Sequence, residues 1–374
     1  MVTSAATAAA SRNDGSAKGS SAPAWLMTAV VLAAAIFAFS PRPAPPFAAT
    51  QVQPDGLLVT GLARHGNRLL AAGEQGQILV ADSPKGPWHS ATVTPQRGST
   101  FTQVAFLGEH LALAVGHDGW LVRSEDNGET WKEVAFNAEL SDPLMGVSGP
   151  YDGKLYAYGA FGLLMTSVDQ GKTWQKDTLA EAADPNAKPA APAAEVDPNA
   201  DPYANFQASG GGIADHHLNA MTRLADGALM LVGERGLMAR SDDQGKTWKS
   251  LPEIYSGSFY GLIPTQGGGL LAYGMRGNAF YSSDSGKTWT KSTVPDTVSL
   301  FGATLTPRQE VVLVGENNSI FISTDGGRHF KLSSTGGHTR LATVVPLDSG
   351  DLLTAGEAGI RLREPGVNLG EGQK

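Results

Sequence analysis

Five aspartates recur in one setting along this chain. Asp126 lies in SEDNGETW, Asp169 in SVDQGKTW, Asp243 in SDDQGKTW, Asp284 in SSDSGKTW and Asp325 in STDGGRHF. Carboxylates repeated this way could act as general acids or bases, or collect a hard cation. Both chemistries need convergence on one point. The motif aromatics Trp131, Trp174, Trp248, Trp289 and Phe330 are instead spaced by 43, 74, 41 and 41 residues, so each aspartate belongs to its own structural unit. A weaker copy, ADSPKGPW, ends at Trp88. Periods of 40–45 residues mark β-propeller blades.

Within each unit the same order returns. FTQVAFLG, HLALAVG, WLVRS and TWKEV are four short β-type runs separated by turn signals, which predicts one four-stranded antiparallel sheet. Six such units are followed by a shorter one near 340–364. The expected fold is all-β: a seven-bladed propeller over residues 50–366, preceded by one N-terminal hydrophobic helix. FAATQVQ at 47–53 is spare and suits pairing with the last blade, which would leave no open sheet edge. In this frame the Ser-x-Asp-x-Gly-x-Thr-Trp segment joins the third and fourth strands. Its Asp caps backbone N–H groups of its own turn, its Gly supplies positive φ, and its Trp returns to fill the space between blades. These aspartates are therefore read as structural, and no catalytic residue, metal site or cofactor is expected.

The candidate site lies on the opposite rim, where the turns between second and third strands gather. GEQG, GERG, GENN and GEAG supply Glu74, Glu234, Glu316 and Glu357 at one position; Arg235 and Arg276 occupy the next; GHDG supplies His117 and Asp118. Arginine favours planar bidentate contacts with carboxylates. The repeated Glu has a second reading, as a cap for neighbouring backbone, so Arg235 and Arg276 are the stronger partner-binding candidates. The interval of 74 contains an insert, 181–206, rich in Ala, Pro and Asp and predicted to be mobile, which joins two blades on this same rim. His216 and His217 follow it; neighbours on a strand point to opposite faces, which argues against a two-His metal site.

Residues 1–23 are read as a disordered, weakly basic tail, 24–40 as a signal anchor or signal peptide, 41–49 as a Pro-rich linker and 367–374 as a tail. Ala24–Phe39 is sixteen residues without a charge, short for a spanning helix and suited to a signal core. Either form predicts export, with the bulk on the periplasmic or lumenal side of a membrane. Net charge is −8, and −10 beyond residue 49, which excludes an electrostatic nucleic-acid footprint and speaks against attraction to anionic lipid. The chain has no cysteine, hence no disulfide or thiolate chemistry.

The pattern G-E-[RQN]-G-x-[LI]…S-x-D-x-G-x-T-W, clearest in GERGLMARSDDQGKTW at 233–248, resembles the photosystem II stability/assembly factor family and covers about 50–366. That family comprises seven-bladed Asp-box propellers exported across a membrane, with relatives in non-photosynthetic bacteria. The resemblance implies a non-enzymatic helper that holds a membrane-protein segment at the rim carrying Arg235 and Arg276. The partner would be a membrane complex or its subunits; an envelope transporter fits as well as a photosystem. The long insert and the N-terminal apolar run depart from the family pattern. Asp boxes also occur in sialidase-like glycoside hydrolases, which require an Arg triad and a Tyr nucleophile backed by Glu. Arg235, Arg276 and Arg340 are candidates for such a triad, with Tyr260 or Tyr273 as nucleophile, but no matched acid and base stand out and no Arg-Ile-Pro segment occurs. A carbohydrate-binding propeller is the third reading.

Overall fold

The computed structural model describes residues 22–39, 54–137, 142–182, 212–334 and 336–363. The N-terminal and C-terminal tails, the Pro-rich linker, the closing segment 47–53 and most of the insert lie outside the described residues. The chain forms two compact units, Met1–Ala49 and Thr50–Lys374.

The first unit contributes one helix, α1 (Ala22–Phe39), whose residues 25–39 are all exposed. Eighteen residues rise about 27 Å, short of a hydrocarbon core of about 30 Å. No helix among the described residues is long and apolar enough to cross a membrane.

The second unit is a seven-bladed propeller. Blade 1 illustrates the build: strands Val59–His65, Arg68–Gly73, Ile78–Ala81 and His89–Ser90 pair antiparallel in chain order. Blades 2 to 6 begin with Phe101–Phe106, Leu144–Tyr151, Leu218–Arg223, Phe259–Pro264 and Leu300–Leu305, and blade 7 with Leu341–Pro346. Blade 7 shows three strands among the described residues, ending in Gly359–Arg363. Pro54 and Asp55 lie against that last strand, where Asp55 pairs with Arg361 and the Pro54 carbonyl crowds Gly359.

The sequence of each second strand explains why blades stack. LLAAG, ALAVG, LMLVG, LLAYG and VVLVG are buried at every position, because another blade covers each face. The core accordingly divides into seven clusters, one per seam. Blades 1 and 2 meet through Leu70, Val80, Phe101, Trp120 and Trp131. Blades 7 and 1 meet through Leu353, Ile360, Val59, Leu69 and Trp88, which closes the ring. Six seams receive a motif aromatic: Trp88, Trp131, Trp174, Trp248, Trp289 or Phe330. The seventh, between blades 6 and 7, has only Val312, Val314, Ile320, Leu341, Val344, Leu352 and the half-buried Ile322, because blade 7 lacks the motif.

Outer strands also stitch neighbours. Thr92–Thr94, downstream of the last strand of blade 1, runs parallel to the outer strand of blade 2. Glu181 bridges Trp248, and Thr293 bridges His329, in the same parallel sense.

The motif turns are bonded as the sequence predicts. In blade 2 the Ser124 hydroxyl donates to Asp126 Oδ1 (2.8 Å) and accepts from Gly128 N (2.9 Å). Asp126 accepts from Thr130 N (2.9 Å) and Thr130 Oγ1 (2.5 Å), and Trp131 Nε1 donates to Gly128 O (2.8 Å). Asp169, Asp243 and Asp284 repeat the carboxylate bonds with Thr173, Thr247 and Thr288, and Asp325 substitutes His329 for threonine. Burial pushes the Asp243 carboxyl up, but the bonds from Thr247 and Ser241 outweigh it and hold the group down at about 2. Thr288 and Ser282 hold Asp284 at about 2. These are ionised groups with their oxygens engaged inside the turn.

Candidate partner-binding rim

Across the ring from the motif turns, blades 1 to 6 reverse between their second and third strands through a tight three-residue turn, and blade 7 through two residues, Glu357 and Ala358. The first residue of every turn donates its N–H to the segment leading into its own blade: Glu74 to Leu58 O, His117 to Thr100 O, Ala160 to Pro143 O, Glu234 to His217 O, Met275 to Ser258 O, Glu316 to Ser299 O and Glu357 to Arg340 O, all within 2.9–3.2 Å. Where that residue is Glu, its carboxylate accepts the N–H of the same partner. Glu74 takes Leu58 N (3.0 Å), Glu234 His217 N (3.2 Å), Glu316 Ser299 N (2.9 Å) and Glu357 Arg340 N (3.0 Å). The repeated Glu thus forms a reciprocal clamp. Blade 3 supplies a control: its partner is Pro143, which has no N–H to satisfy, and its turn begins with Ala160.

The third residue of the turn reaches the other way. Gly119, Gly162, Gly236, Gly277 and Asn318 donate N–H to Asp142, His216, Gly257, Val298 and Thr339 of the following blade at 2.7–3.0 Å. To aim that N–H across the seam, the second residue adopts the left-handed region. Gln75, Asp118, Phe161, Arg235, Arg276 and Asn317 have φ of 48–57°. Such backbone costs a non-glycine residue roughly 1 kcal/mol or more. It also lifts the side chain off the rim: Gln75, Phe161, Arg235, Arg276 and Asn317 are exposed.

The structure therefore places all eight sequence-derived residues on one rim, with unequal freedom. The four Glu side chains are tied to backbone. Asp118 Oδ2 accepts from Ser99 Oγ (2.5 Å), and His117 is exposed. Arg235 Nη2 lies 3.3 Å from Asp215 O and 3.7 Å from Glu234 Oε1. The exposed Arg276 guanidinium makes no hydrogen bond or ion pair among the described residues. The described ends of the insert are tied to each other and to blade 4: Ile213 N donates to Glu181 Oε1 (2.7 Å), and Trp248 exchanges backbone hydrogen bonds with Ala180 and Ala182.

Inside the rim the seven innermost strands line a channel of about 410 Å³. Each has a bulge at its second residue: Thr60, Thr102, Met145, Asn219, Tyr260, Phe301 and Ala342. Three of these reach the next blade, Thr60 Oγ1 to Phe101 O, Thr102 Oγ1 to Leu144 O and Asn219 Nδ2 to Phe259 O (2.6, 2.6 and 2.7 Å). Tyr260 instead lies against Phe301, ring centroids 5.4 Å apart and planes tilted by 32°. In four of the seven strands a glycine follows the bulge, in the openings VTG, LMG, FYG and LFG. Burial pushes the Tyr260 and Tyr273 phenols upward, and neither is hydrogen-bonded to a Glu among the described residues. Arg340 sits in the seventh blade beside Glu357 (3.7 Å), two blades beyond Arg276. No group of three or more His, Asp or Glu among the described residues could hold a metal. The site also includes two residues that spacing did not single out, Phe161 and His217, whose rings meet edge to face at 4.6 Å.

No protein-family model matches the chain, and no curated protein matches it. Solved structures do. YCF48 bound to D1 peptide aligns with a TM-score of 0.60 at 17% identity, covering 87% of this chain and 98% of that one. YCF48 from Cyanidioschyzon merolae gives 0.60 at 13%, covering 84% and 97%. The WD40 β-propeller domain of Doa1 gives 0.60 at 10%, covering 84% and 95%. At these identities the likeness shows the fold alone: a β-propeller shared with YCF48 and with the WD40 domain of Doa1.

Proposed function

We propose that this chain is a non-enzymatic propeller that binds a polypeptide segment of a membrane-protein complex on the rim of second-to-third-strand turns, as an assembly or accessory factor. The observation that carries this reading is the division of labour within those turns. Their Glu carboxylates are engaged in holding the fold, while their left-handed residues, Arg235 and Arg276 among them, are displayed at a conformational cost. Arg276 in particular has its guanidinium donors available for a carboxylate. A YCF48 structure with a bound peptide supports peptide binding as a use of this architecture. The host complex in this reading is a photosystem or an envelope transporter. Export follows from the basic start and apolar α1, and retention of α1 would keep the propeller at the membrane surface.

A crosslinked capture from membranes, using the full chain tagged at its C-terminus, tests the proposal. Wild type should recover a membrane complex, and an Arg235→Ala/Arg276→Ala variant with unchanged melting behaviour should not. Equal recovery by both would move the binding surface elsewhere. Recovery of nothing by wild type would sink the helper function.

A further inference from the structure

Phe161 breaks the pattern of its rim. The corresponding left-handed positions of blades 1, 2, 4, 5 and 6 carry Gln75, Asp118, Arg235, Arg276 and Asn317, all polar. Phe161 alone places a large apolar ring there, 65% exposed, on backbone with φ of 48°. A bulky residue in the left-handed region is a steric outlier, and exposing its ring adds a hydration penalty. A polar residue satisfies the same backbone in blade 6, where Asn317 has φ of 56°. The fold therefore does not require phenylalanine.

What surrounds the ring is rigid and polar in a particular order. His217 meets it edge to face, with ring planes at 81°. The His217 backbone is fixed from both sides by Glu234, which accepts its N–H and donates to its carbonyl. Gly162, next to Phe161, donates to His216 O at 2.8 Å, which ties the blade 3 turn to the segment leading into blade 4. Arg235 follows directly in the blade 4 turn, its side chain 43% exposed beside Asp215 O. One bonded platform thus presents an aromatic face, an imidazole and a guanidinium in sequence across a single seam.

We propose that Phe161, His217 and Arg235 form a subsite for an apolar side chain flanked by a carboxylate within the bound polypeptide. The inference rests on the partner-binding reading of the rim and adds the chemistry that the rim selects. The apolar group stacks on Phe161 and abuts His217, while Arg235 takes the carboxylate in a bidentate pair. Rigid aromatic and arginine anchors are the residue types that dominate interface energetics.

The test uses the full chain and fluorescein-labelled nine-residue Gly/Ser peptides with a central Phe-Asp, Ala-Asp or Phe-Asn pair, titrated by anisotropy. Wild type should bind the Phe-Asp peptide at least ten-fold tighter than either of the others. Phe161→Asn should erase the preference for Phe over Ala and keep that for Asp over Asn; Arg235→Gln should do the reverse. Phe161→Asn should melt at or above the wild-type temperature, because asparagine tolerates this backbone. Absence of Phe preference in wild type, or its survival in Phe161→Asn, overturns the subsite. So does a wild-type self-association that Phe161→Asn abolishes without peptide discrimination, which would make the face a contact between copies. Survival of the Asp preference in Arg235→Gln likewise overturns the subsite, whereas the broader rim reading fails separately, if the Arg235→Ala/Arg276→Ala variant captures the membrane complex as well as wild type does.

Discussion

The two rims of the propeller use the same chemical groups to different ends. On the motif rim, Asp126, Asp169, Asp243, Asp284 and Asp325 each turn their carboxylate inward to cap a reversal, and the neighbouring aromatic is driven into a seam. On the other rim, Glu74, Glu234, Glu316 and Glu357 also cap backbone, but the residue after Glu74, Glu234 and Glu316 is held in the left-handed region with its side chain outward. The first rim varies little between blades because geometry constrains every position. The second keeps its first and third positions for the fold and leaves its second free to differ. Repetition marks what builds the ring, and departure from repetition marks where recognition can reside.

The comparison is broken most forcefully at the seams. Trp131→Ala removes a fully buried ring and should lower stability by about 3–5 kcal/mol, measured by denaturant unfolding. An effect below about 1 kcal/mol would mean that the motif aromatics do not hold the blades together. Next, Glu316→Ala should lose about 1–2 kcal/mol, because Ser299 N is left without its acceptor. Substitution of the Ala160 position by Glu should give no comparable gain, since Pro143 offers no N–H.

Acid sharpens the motif rim. The Asp243 and Asp284 carboxyls sit at about 2 in the folded state, below the ordinary value near 4. Depressed carboxyls contribute stability that is fully present above about pH 4 and is lost as pH falls toward 2. Melting temperature should therefore drop across that window, with a shallower drop in Asp284→Asn. A flat profile between pH 4 and 2 would contradict the capping account. The smallest stability effect belongs to the second rim: Arg276→Ala should change unfolding free energy by less than about 0.5 kcal/mol while weakening partner capture.

Blade number, strand order and the role of the Asp motif were legible in the sequence because a period of about 41–43 residues and a fixed turn chemistry leave few alternatives. The Glu series was harder. Its regularity placed it correctly on one rim, yet the clamp appears only once Leu58, His217, Ser299 and Arg340 are seen opposite it. The clue lay in the pairing of Ala160 with Pro143, sixteen or seventeen residues being the usual reach of the clamp. The bulge ring and Phe161 were not singled out. A bulge is a property of pairing between strands, and left-handed strain at a turn residue has no signature in composition.

Site-specific photocrosslinking compares the rims most directly. A photoreactive phenylalanine analogue would replace Gln75, Arg276 or Asn317 on one rim, and Asp242, Ser283 or Thr324 on the other, with adducts read from native membranes. The account predicts adducts to one membrane-protein subunit from the first set and none from the second. Adducts confined to the second set would contradict it.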